Sequence, residues 1–155
     1  MESTPPSSDW IELLRGLNAA GVKYLIVGAH ALGLYVTPRA TGDLDIWIER
    51  SAKNARRTYE ALARFGAPLG DLTIEELQSE DLIFMFGTPP LRIDILTGID
   101  GVSFAEAWPH RVEADLAGVS VAFLGRDQLI LNKRATGRTK DLADLEALEE
   151  TPKAP

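Results

Sequence analysis

The chain has 155 residues, of which 45% are apolar and 25% charged, and its formal net charge at pH 7 is −7. This length predicts one domain with a proper core, and the ordinary apolar share excludes a largely disordered chain. The acidic balance argues against binding a polyanion through overall charge, because such binding depends on neutralising phosphates. The sequence contains no cysteine, which excludes disulfides, zinc–thiolate sites and cysteine nucleophiles.

Both ends of the chain have the composition of tails. We expect a disordered N-terminal tail over residues 1–8, one domain over 9–150 and a short tail over 151–155. The sequence does not open with the basic start and apolar run of a signal peptide. No apolar run approaches the roughly 18 residues of a membrane span. We therefore expect a soluble, cytoplasmic protein without a membrane partner.

Hydrophobic periodicity predicts helices and strands that interleave along the chain. In chain order they are a helix capped by Asp9 and ended by Gly21, a strand over 23–27, a helix over 29–35, a loop over 36–42, a strand over 43–49, a helix over 52–65, a short helix over 73–78, strands over 81–86, 91–96 and 119–124, and helices over 126–136 and 140–148. Some strands are joined as hairpins. The predicted fold class is α/β or α+β, with a mixed sheet flanked by helices.

Three aspartates carry the strongest functional signal. Asp43 and Asp45 alternate with apolar residues on one strand, so both carboxylates point to the same face, roughly 6–7 Å apart along the chain. Asp94 interrupts a second, otherwise apolar strand. If the two strands are neighbours, the three carboxylates converge, as two metal ions require for phosphoryl or nucleotidyl transfer. The alternative is a solvent-facing strand whose outward positions happen to be acidic.

A glycine turn lies upstream of the aspartates. The run from Tyr24 to Val27 reads as a strand, Gly28 as the turn and Ala29 as the start of a helix. Glycine allows close approach of the backbone to a phosphate, and the N–H groups at a helix start favour an anion. The alternative is an ordinary strand-to-helix turn. We expect an anion cradle here because it lies one loop before the acidic strand.

The order and spacing of these elements resemble a known family. Gly28-Ala29, thirteen intervening residues, Asp43-Leu44-Asp45-Ile46 and a later Asp94 resemble the nucleotidyltransferase superfamily with the DNA polymerase β-like fold. The resemblance is closest to minimal nucleotidyltransferases and AbiEii-like toxin-type proteins, and it covers roughly residues 22–141. It implies a nucleotidyltransferase-like domain.

The resemblance also implies roles for individual residues. Gly28 and Ala29 would hold a nucleoside triphosphate, although the family usually has Gly or Ser at the position of Ala29. Asp43, Asp45 and Asp94 would be both the catalytic residues and the metal ligands. The implied cofactor is Mg²⁺, as two ions, with Mn²⁺ as an alternative.

A basic segment near the C-terminus offers further nucleotide-binding candidates. Residues 126–140 contain five basic residues and one acidic residue in an otherwise acidic chain. In the family interpretation Lys133, Arg138 and Lys140 would neutralise the triphosphate, together with Arg39 from the loop before Asp43. The alternative is a solvated helix face.

Two functions remain open at this stage. The first is a metal-dependent nucleotidyltransferase that moves a nucleoside monophosphate from an NTP to a hydroxyl of tRNA, a protein or a small molecule. The second is a catalytically silent nucleotide-binding or partner-binding module of a toxin–antitoxin pair. The substitution at Ala29 favours the second, and the presence of all three aspartates favours the first.

Overall fold

The computed structural model describes residues 7–36 and 42–150. The helices are α1 (Ser8–Ala19), α2 (Gly28–Tyr35), α3 (Ala52–Phe65), α4 (Phe104–Ala107), α5 (Arg126–Thr136) and α6 (Thr139–Glu149), with 3₁₀ turns at Glu76–Gln78 and Trp108–His110. The strands are β1 (Tyr24–Val27), β2 (Leu44–Ile48), β3 (Ile83–Phe86), β4 (Ile93–Leu96), β5 (Val112–Leu116) and β6 (Val119–Phe123).

The strands form one mixed sheet in the order β3-β4-β2-β1-β6-β5. The pairs β2–β4 and β1–β6 are parallel, and the other neighbours are antiparallel. The predicted class, α/β with a mixed sheet flanked by helices, is confirmed. Sequence pattern also identifies the central strands correctly, because β1, β2 and β4 are largely buried and apolar.

Two amphipathic helices, α1 and α3, pack against each other and contact the sheet. Helical spacing places Leu13, Leu14 and Leu17 on one face of α1, and all three are 0% exposed. In α3, Ala55 and Leu62 are likewise buried, and the helix ends at Gly66 in the left-handed conformation. The periodicity of apolar residues therefore accounts for the faces that supply the core.

The structure corrects the start of α1. The predicted cap was Asp9, but the helix begins at Ser8 and its N-cap is Ser7, whose hydroxyl accepts a hydrogen bond from the Trp10 backbone N–H at 3.1 Å. Asp9 lies in the first turn, where its negative charge still interacts favourably with the helix dipole.

Two elements had no counterpart in the sequence prediction. The short helix α4 is held by a capping box between Ser103 and Glu106. The edge strand β5 joins β6 through a tight turn in which both Ala117 and Gly118 have positive φ. Tight hairpin turns of this kind favour Asn-Gly or Asp-Gly, so Ala-Gly gives a weak turn signal.

The side chain of Asn54 links α3 to the centre of the sheet through hydrogen bonds. This side chain is only 3% exposed, and its Oδ1 accepts from the Lys23 N–H at 2.7 Å. Its Nδ2 donates to the Lys23 carbonyl at 3.0 Å and to the Glu49 carbonyl at 2.6 Å. One buried amide thus satisfies backbone groups beside the start of β1 and the end of β2.

None of the helices within the described ranges is long and apolar enough to cross a bilayer.

We predict that Asn54→Ala lowers the free energy of unfolding by about 2–3 kcal/mol, because buried backbone groups lose their partners. Urea denaturation measures the change. The control is Lys53→Ala on the exposed side of the same helix, which should change stability by less than about 0.5 kcal/mol. Equal effects of the two substitutions would contradict this role for Asn54.

Candidate active site

The two acidic strands are direct neighbours. β2 pairs with β4 in parallel, and Asp45 stands opposite Asp94 in the register. Partners in neighbouring strands point to the same face and lie roughly 5 Å apart. Asp43 precedes β2 and belongs to the same group through Arg92, which contacts both Asp43 and Asp94. The structure therefore brings together the three aspartates identified in the sequence.

The carboxyl group of Asp45, which is half-buried, lies beside that of Asp94, which is buried. Burial, repulsion by Asp94 and a hydrogen bond between the two groups raise the pKa of Asp45 to about 7, and the more distant Asp43 adds to the shift. Arg92 opposes this increase only in part. The pair therefore retains a proton at a pH at which an isolated aspartate is fully ionised. The positive charge of Arg92 thus does not fully balance the negative charge of the aspartates.

Gly28 is required by the position of Asp45. Its φ is +67°, a conformation that other residues rarely adopt, and a Cβ at this position would collide with Oδ2 of Asp45. The absence of a side chain lets the end of β1 and the start of α2 lie directly against the carboxylate. The sequence predicted Gly28 as a close-approach position, and here the close approach is to a residue of the site itself.

The N-terminus of α2 faces the same region of the sheet. The helix begins at Gly28, and the residue before it is Val27, whose apolar side chain cannot cap the backbone N–H groups. Val27 stands opposite Asp45 in the register of β1 and β2. Such a helix start favours an anion such as phosphate. Ala29 lies half-buried in this first turn and retains its backbone N–H.

His30 follows in the first turn of α2 and is half-buried. Its ring meets that of Trp10 edge to face, with centroids 5.0 Å apart. Burial lowers the pKa of His30, and the charge of Asp43 opposes that change in part. The environment of His30 therefore favours the neutral imidazole.

Arg92 is a site residue that the sequence prediction missed. Its Nη2 donates to Asp43 Oδ2 at 2.7 Å, its Nε to Asp94 Oδ1 at 2.9 Å and its Nη2 also to Asp94 Oδ2 at 3.2 Å. The hydrogen bonds to Asp94 raise the pKa of Arg92 further above its usual high value. The available signal was its position two residues before Asp94, which places both side chains on one face of β4.

The donor atoms have the chemistry of a site for a hard divalent cation, since such ions prefer carboxylate oxygens. Across residues 7–36 and 42–150, no three His, Cys, Asp or Glu side chains are arranged around one cation position. The Arg92 guanidinium lies between Asp43 and Asp94 instead. Asp45 and Asp94 fit a cation, because positive charge would relieve the repulsion that raises the pKa of Asp45. The role of Asp43 as a third ligand remains a prediction.

The basic residues predicted to bind the triphosphate occupy different environments. Lys133 is buried between α5 and α6, with its Nζ 3.3 Å from Asp141 and 3.2 Å from Asp144. Arg138 caps α6 and binds Asp141 through Nε at 2.7 Å. Lys140 is exposed in the first turn of α6, and Arg39 lies outside the described residues. Lys133 and Arg138 thus neutralise buried carboxylates. Their contact with phosphate remains a prediction.

This ionic cluster fixes the geometry of the last two helices. Asp141 is 0% exposed and Asp144 is 3% exposed. Hydrogen bonds from Arg138, and further ones from Thr136 and Lys133, hold the pKa of Asp141 well below its ordinary value despite its burial. The folded state therefore favours ionised Asp141, and its stabilising contribution is lost at strongly acidic pH.

Comparison with solved structures identifies the fold. The antibiotic-resistance factor ANT(2'')-Ia is 15% identical with a TM-score of 0.61, over 91% of this chain and 80% of that protein. The lincomycin-bound lincosamide antibiotic adenylyltransferase LnuA is 11% identical with a TM-score of 0.55, over 95% and 99% of the two chains. An antigenic nucleotidyltransferase-like protein from Paracoccidioides brasiliensis is 18% identical with a TM-score of 0.55, over 94% and 78%.

At these identities the similarity defines the fold, which is that of nucleotidyltransferases. This agrees with the fold expected from the spacing of Gly28, Asp43, Asp45 and Asp94. No protein-family model matches the chain, and no curated protein matches it in sequence. The AbiEii-like, toxin-type subtype remains a prediction from the sequence.

We predict that Asp45→Asn stabilises the metal-free protein at pH 8. The raised pKa means that the folded state keeps a proton that the unfolded chain releases above about pH 4, so the stability supplied by that proton is lost as pH rises towards 7. The neutral amide should raise the free energy of unfolding at pH 8 by roughly 1–3 kcal/mol, and by less at pH 5. Urea denaturation in EDTA measures both values.

The control for this stability change is Asp71→Asn at an exposed position, which should show little change at either pH. A loss of stability on Asp45→Asn at pH 8 would contradict the electrostatic strain assigned to the carboxyl pair.

We predict that Lys133→Met destabilises the fold by about 3–5 kcal/mol, because it leaves the buried Asp141 and Asp144 without their counter-ion. The control Lys140→Met, at an exposed position, should be nearly neutral in the same urea denaturation. If Lys133 mainly serves a bound triphosphate, its substitution will instead lower nucleotide affinity while leaving the unfolding free energy unchanged.

Proposed function

We propose that the protein is a metal-dependent nucleotidyltransferase, which transfers a nucleoside monophosphate from an NTP to a hydroxyl acceptor. The observation that carries this proposal is the in-register pairing of Asp45 and Asp94 on neighbouring parallel strands. The Asp45 carboxylate lies directly against Gly28 at the start of α2. An anion-binding helix start beside concentrated carboxylates suits a metal-bound polyphosphate.

Each part of the site has a role in this proposal. The backbone N–H groups of Gly28 and Ala29 bind the phosphates of the NTP. Asp43, Asp45 and Asp94 hold Mg²⁺, with Mn²⁺ as an alternative. The bound ions supply neutralisation of phosphate charge and alignment of the attacking and leaving oxygens. Arg39, Lys133, Arg138 and Lys140 remain proposed contacts of the triphosphate.

The reaction exchanges a phosphoanhydride bond for a phosphoester bond. The acceptor hydroxyl oxygen forms a bond to the α-phosphorus of the NTP. The bond from the α-phosphorus to the oxygen that bridges it to the β-phosphorus breaks, and pyrophosphate leaves with the electron pair. The hydroxyl proton passes to Asp94, whose carboxylate is the proposed general base of the site. The products are the nucleotidylated acceptor and pyrophosphate.

A small molecule is the acceptor class that we propose first. The similar fold of LnuA was solved with lincomycin bound, and ANT(2'')-Ia is an antibiotic-resistance factor. The overall charge of −7 also disfavours a large polyanion such as tRNA, because repulsion would oppose its approach. A protein side chain or tRNA remains an alternative to be tested in the same assay.

Two observations favour the second candidate, a catalytically silent nucleotide-binding or partner-binding module. Arg92 already neutralises Asp43 and Asp94, and Ala29 provides no hydroxyl for a phosphate. A module of this kind would suit one half of a toxin–antitoxin pair. It differs from the enzyme in one measurable respect, since it binds an NTP without moving a nucleotide to any acceptor.

We predict that Asp43→Asn and Asp94→Asn each lower nucleotide transfer at least about 100-fold, because both remove charge needed at the metal. The assay uses α-³²P-labelled ATP, GTP, CTP and UTP with Mg²⁺ and, in separate reactions, lincomycin, an aminoglycoside, total tRNA or a protein extract. Labelled product is resolved from free nucleotide in each reaction. Asp71→Asn is the exposed control and should retain full transfer.

Two results would contradict the proposal that the protein is a nucleotidyltransferase. Transfer that survives in both substituted proteins would remove the carboxylates from the mechanism. Calorimetric binding of the Mg²⁺–NTP complex without label on any acceptor would favour the silent module.

A further inference from the structure

Arg92 occupies the position between two of the proposed metal ligands. Its guanidinium contacts Oδ2 of Asp43 and both carboxylate oxygens of Asp94, over distances of 2.7–3.2 Å. These are the oxygens that a divalent cation shared by Asp43 and Asp94 would bind. The guanidinium and such a cation compete for the same lone pairs, so Asp43 and Asp94 cannot serve both fully.

The charges of the site explain why the Arg92 guanidinium is held between the carboxylates. Three carboxylates face one guanidinium, and Arg92 forms hydrogen bonds to two of them, those of Asp43 and Asp94. Without Arg92, the negative charges of Asp43 and Asp94 would be unopposed. Arg92 thus acts as the counter-ion of the site in the nucleotide-free protein.

The backbone of Arg92 is fixed, whereas its side chain is able to move. Its carbonyl accepts a hydrogen bond from the Leu44 N–H at 3.0 Å, which anchors the residue to the start of β2. Its side chain is 33% exposed, and that of Asp43 is 32% exposed. A long side chain on an anchored backbone reaches a new partner without disturbing the sheet.

The new partner is provided by the nucleotide. The proposed site for the phosphates lies at Gly28, against Asp45, whose strand β2 pairs with the strand β4 that carries Asp94. A guanidinium presents a planar fork of donors that matches phosphate oxygens as well as carboxylate oxygens. A metal ion that takes over the carboxylates would leave the Arg92 guanidinium free to bind a phosphate of the nucleotide.

We propose that Arg92 is a nucleotide-binding residue that exchanges partners: it neutralises Asp43 and Asp94 in the free protein, and it binds NTP phosphate when metal occupies those carboxylates. This inference rests on the proposed function. The exchange couples the affinity for metal to the affinity for nucleotide. A metal ion without nucleotide must displace Arg92 from the carboxylates, and the guanidinium then has no new partner. A metal–nucleotide complex gives the displaced guanidinium a phosphate.

The test uses Arg92→Gln, with Arg92→Lys as the conservative variant and Arg50→Gln as the matched control. Arg50 also forms an ion pair, with Glu80 at 3.5 Å, but it lies among exposed residues. Mn²⁺ affinity without nucleotide is measured by electron paramagnetic resonance. Affinity for the non-hydrolysable analogues of ATP and GTP with Mg²⁺ is measured by calorimetry, and the folded state is verified by thermal denaturation.

We expect Arg92→Gln to bind Mn²⁺ about tenfold more tightly and the nucleotide analogue about tenfold more weakly, the effect of one charge-assisted hydrogen bond in each case. Arg92→Lys should fall between these values and the unsubstituted protein, because it keeps the charge without the fork. Arg50→Gln should change neither affinity.

The opposite directions of the two changes separate partner exchange from a structural role. A structural role would weaken both affinities or lower the thermal midpoint alone, and either result overturns the inference. Equal analogue binding by Arg92→Gln and the unsubstituted protein also overturns it while leaving the proposed function intact. If the unsubstituted protein binds no analogue, the proposed function itself fails.

Discussion

The parallel pairing of β2 with β4 places two carboxylates side by side, one buried and one half-buried, and much of the surrounding structure compensates for this. Asp45 and Asp94 lie opposite each other in the register, so neither side chain is able to turn away without breaking the pairing. The glycine at position 28 leaves room for Asp45, and Arg92 supplies a positive charge beside Asp94. A retained proton relieves the remaining repulsion, as the raised pKa of Asp45 shows.

The opposite face of the same strands supplies the stability that tolerates this repulsion. Leu44, Ile46 and Ile48 on β2 are at most 1% exposed, and Ile93 and Ile95 on β4 are at most 2% exposed. Each such side chain contributes on the order of 1.5–3 kcal/mol when it leaves water. Side chains on these strands alternate between two faces. The apolar face stabilises the sheet, and the other face carries charges whose repulsion opposes formation of the sheet.

Local pattern in the sequence predicted the parts of the site that depend on periodicity. Asp43 and Asp45 follow from strict alternation, and Gly28 follows from a strand that turns into a helix. The pairing of Asp94 with Asp45 was conditional on strand adjacency, which the sequence does not contain. Arg92 was missed for the same reason, because its contact with Asp43 crosses from one strand to another.

The C-terminal basic residues illustrate a different limit. When charges are counted along the chain, Lys133 belongs to the basic segment of residues 126–140. In the fold its partners come from α6, beyond the segment that was counted, and the group is buried. Charge counted along a segment describes a surface only when the residues are exposed, which depends on how the two helices pack.

The site joins segments that are far apart along the chain. Residues 45 and 94 are separated by 49 positions, and a helix, a 3₁₀ turn and the edge strand β3 lie between them along the chain. Closing so large a loop is among the slow events of folding, since its entropic cost precedes the contacts that offset it. The carboxylate pair therefore exists only when β2 and β4 have paired, so the chemistry of the site depends on the assembled sheet and not on either segment alone.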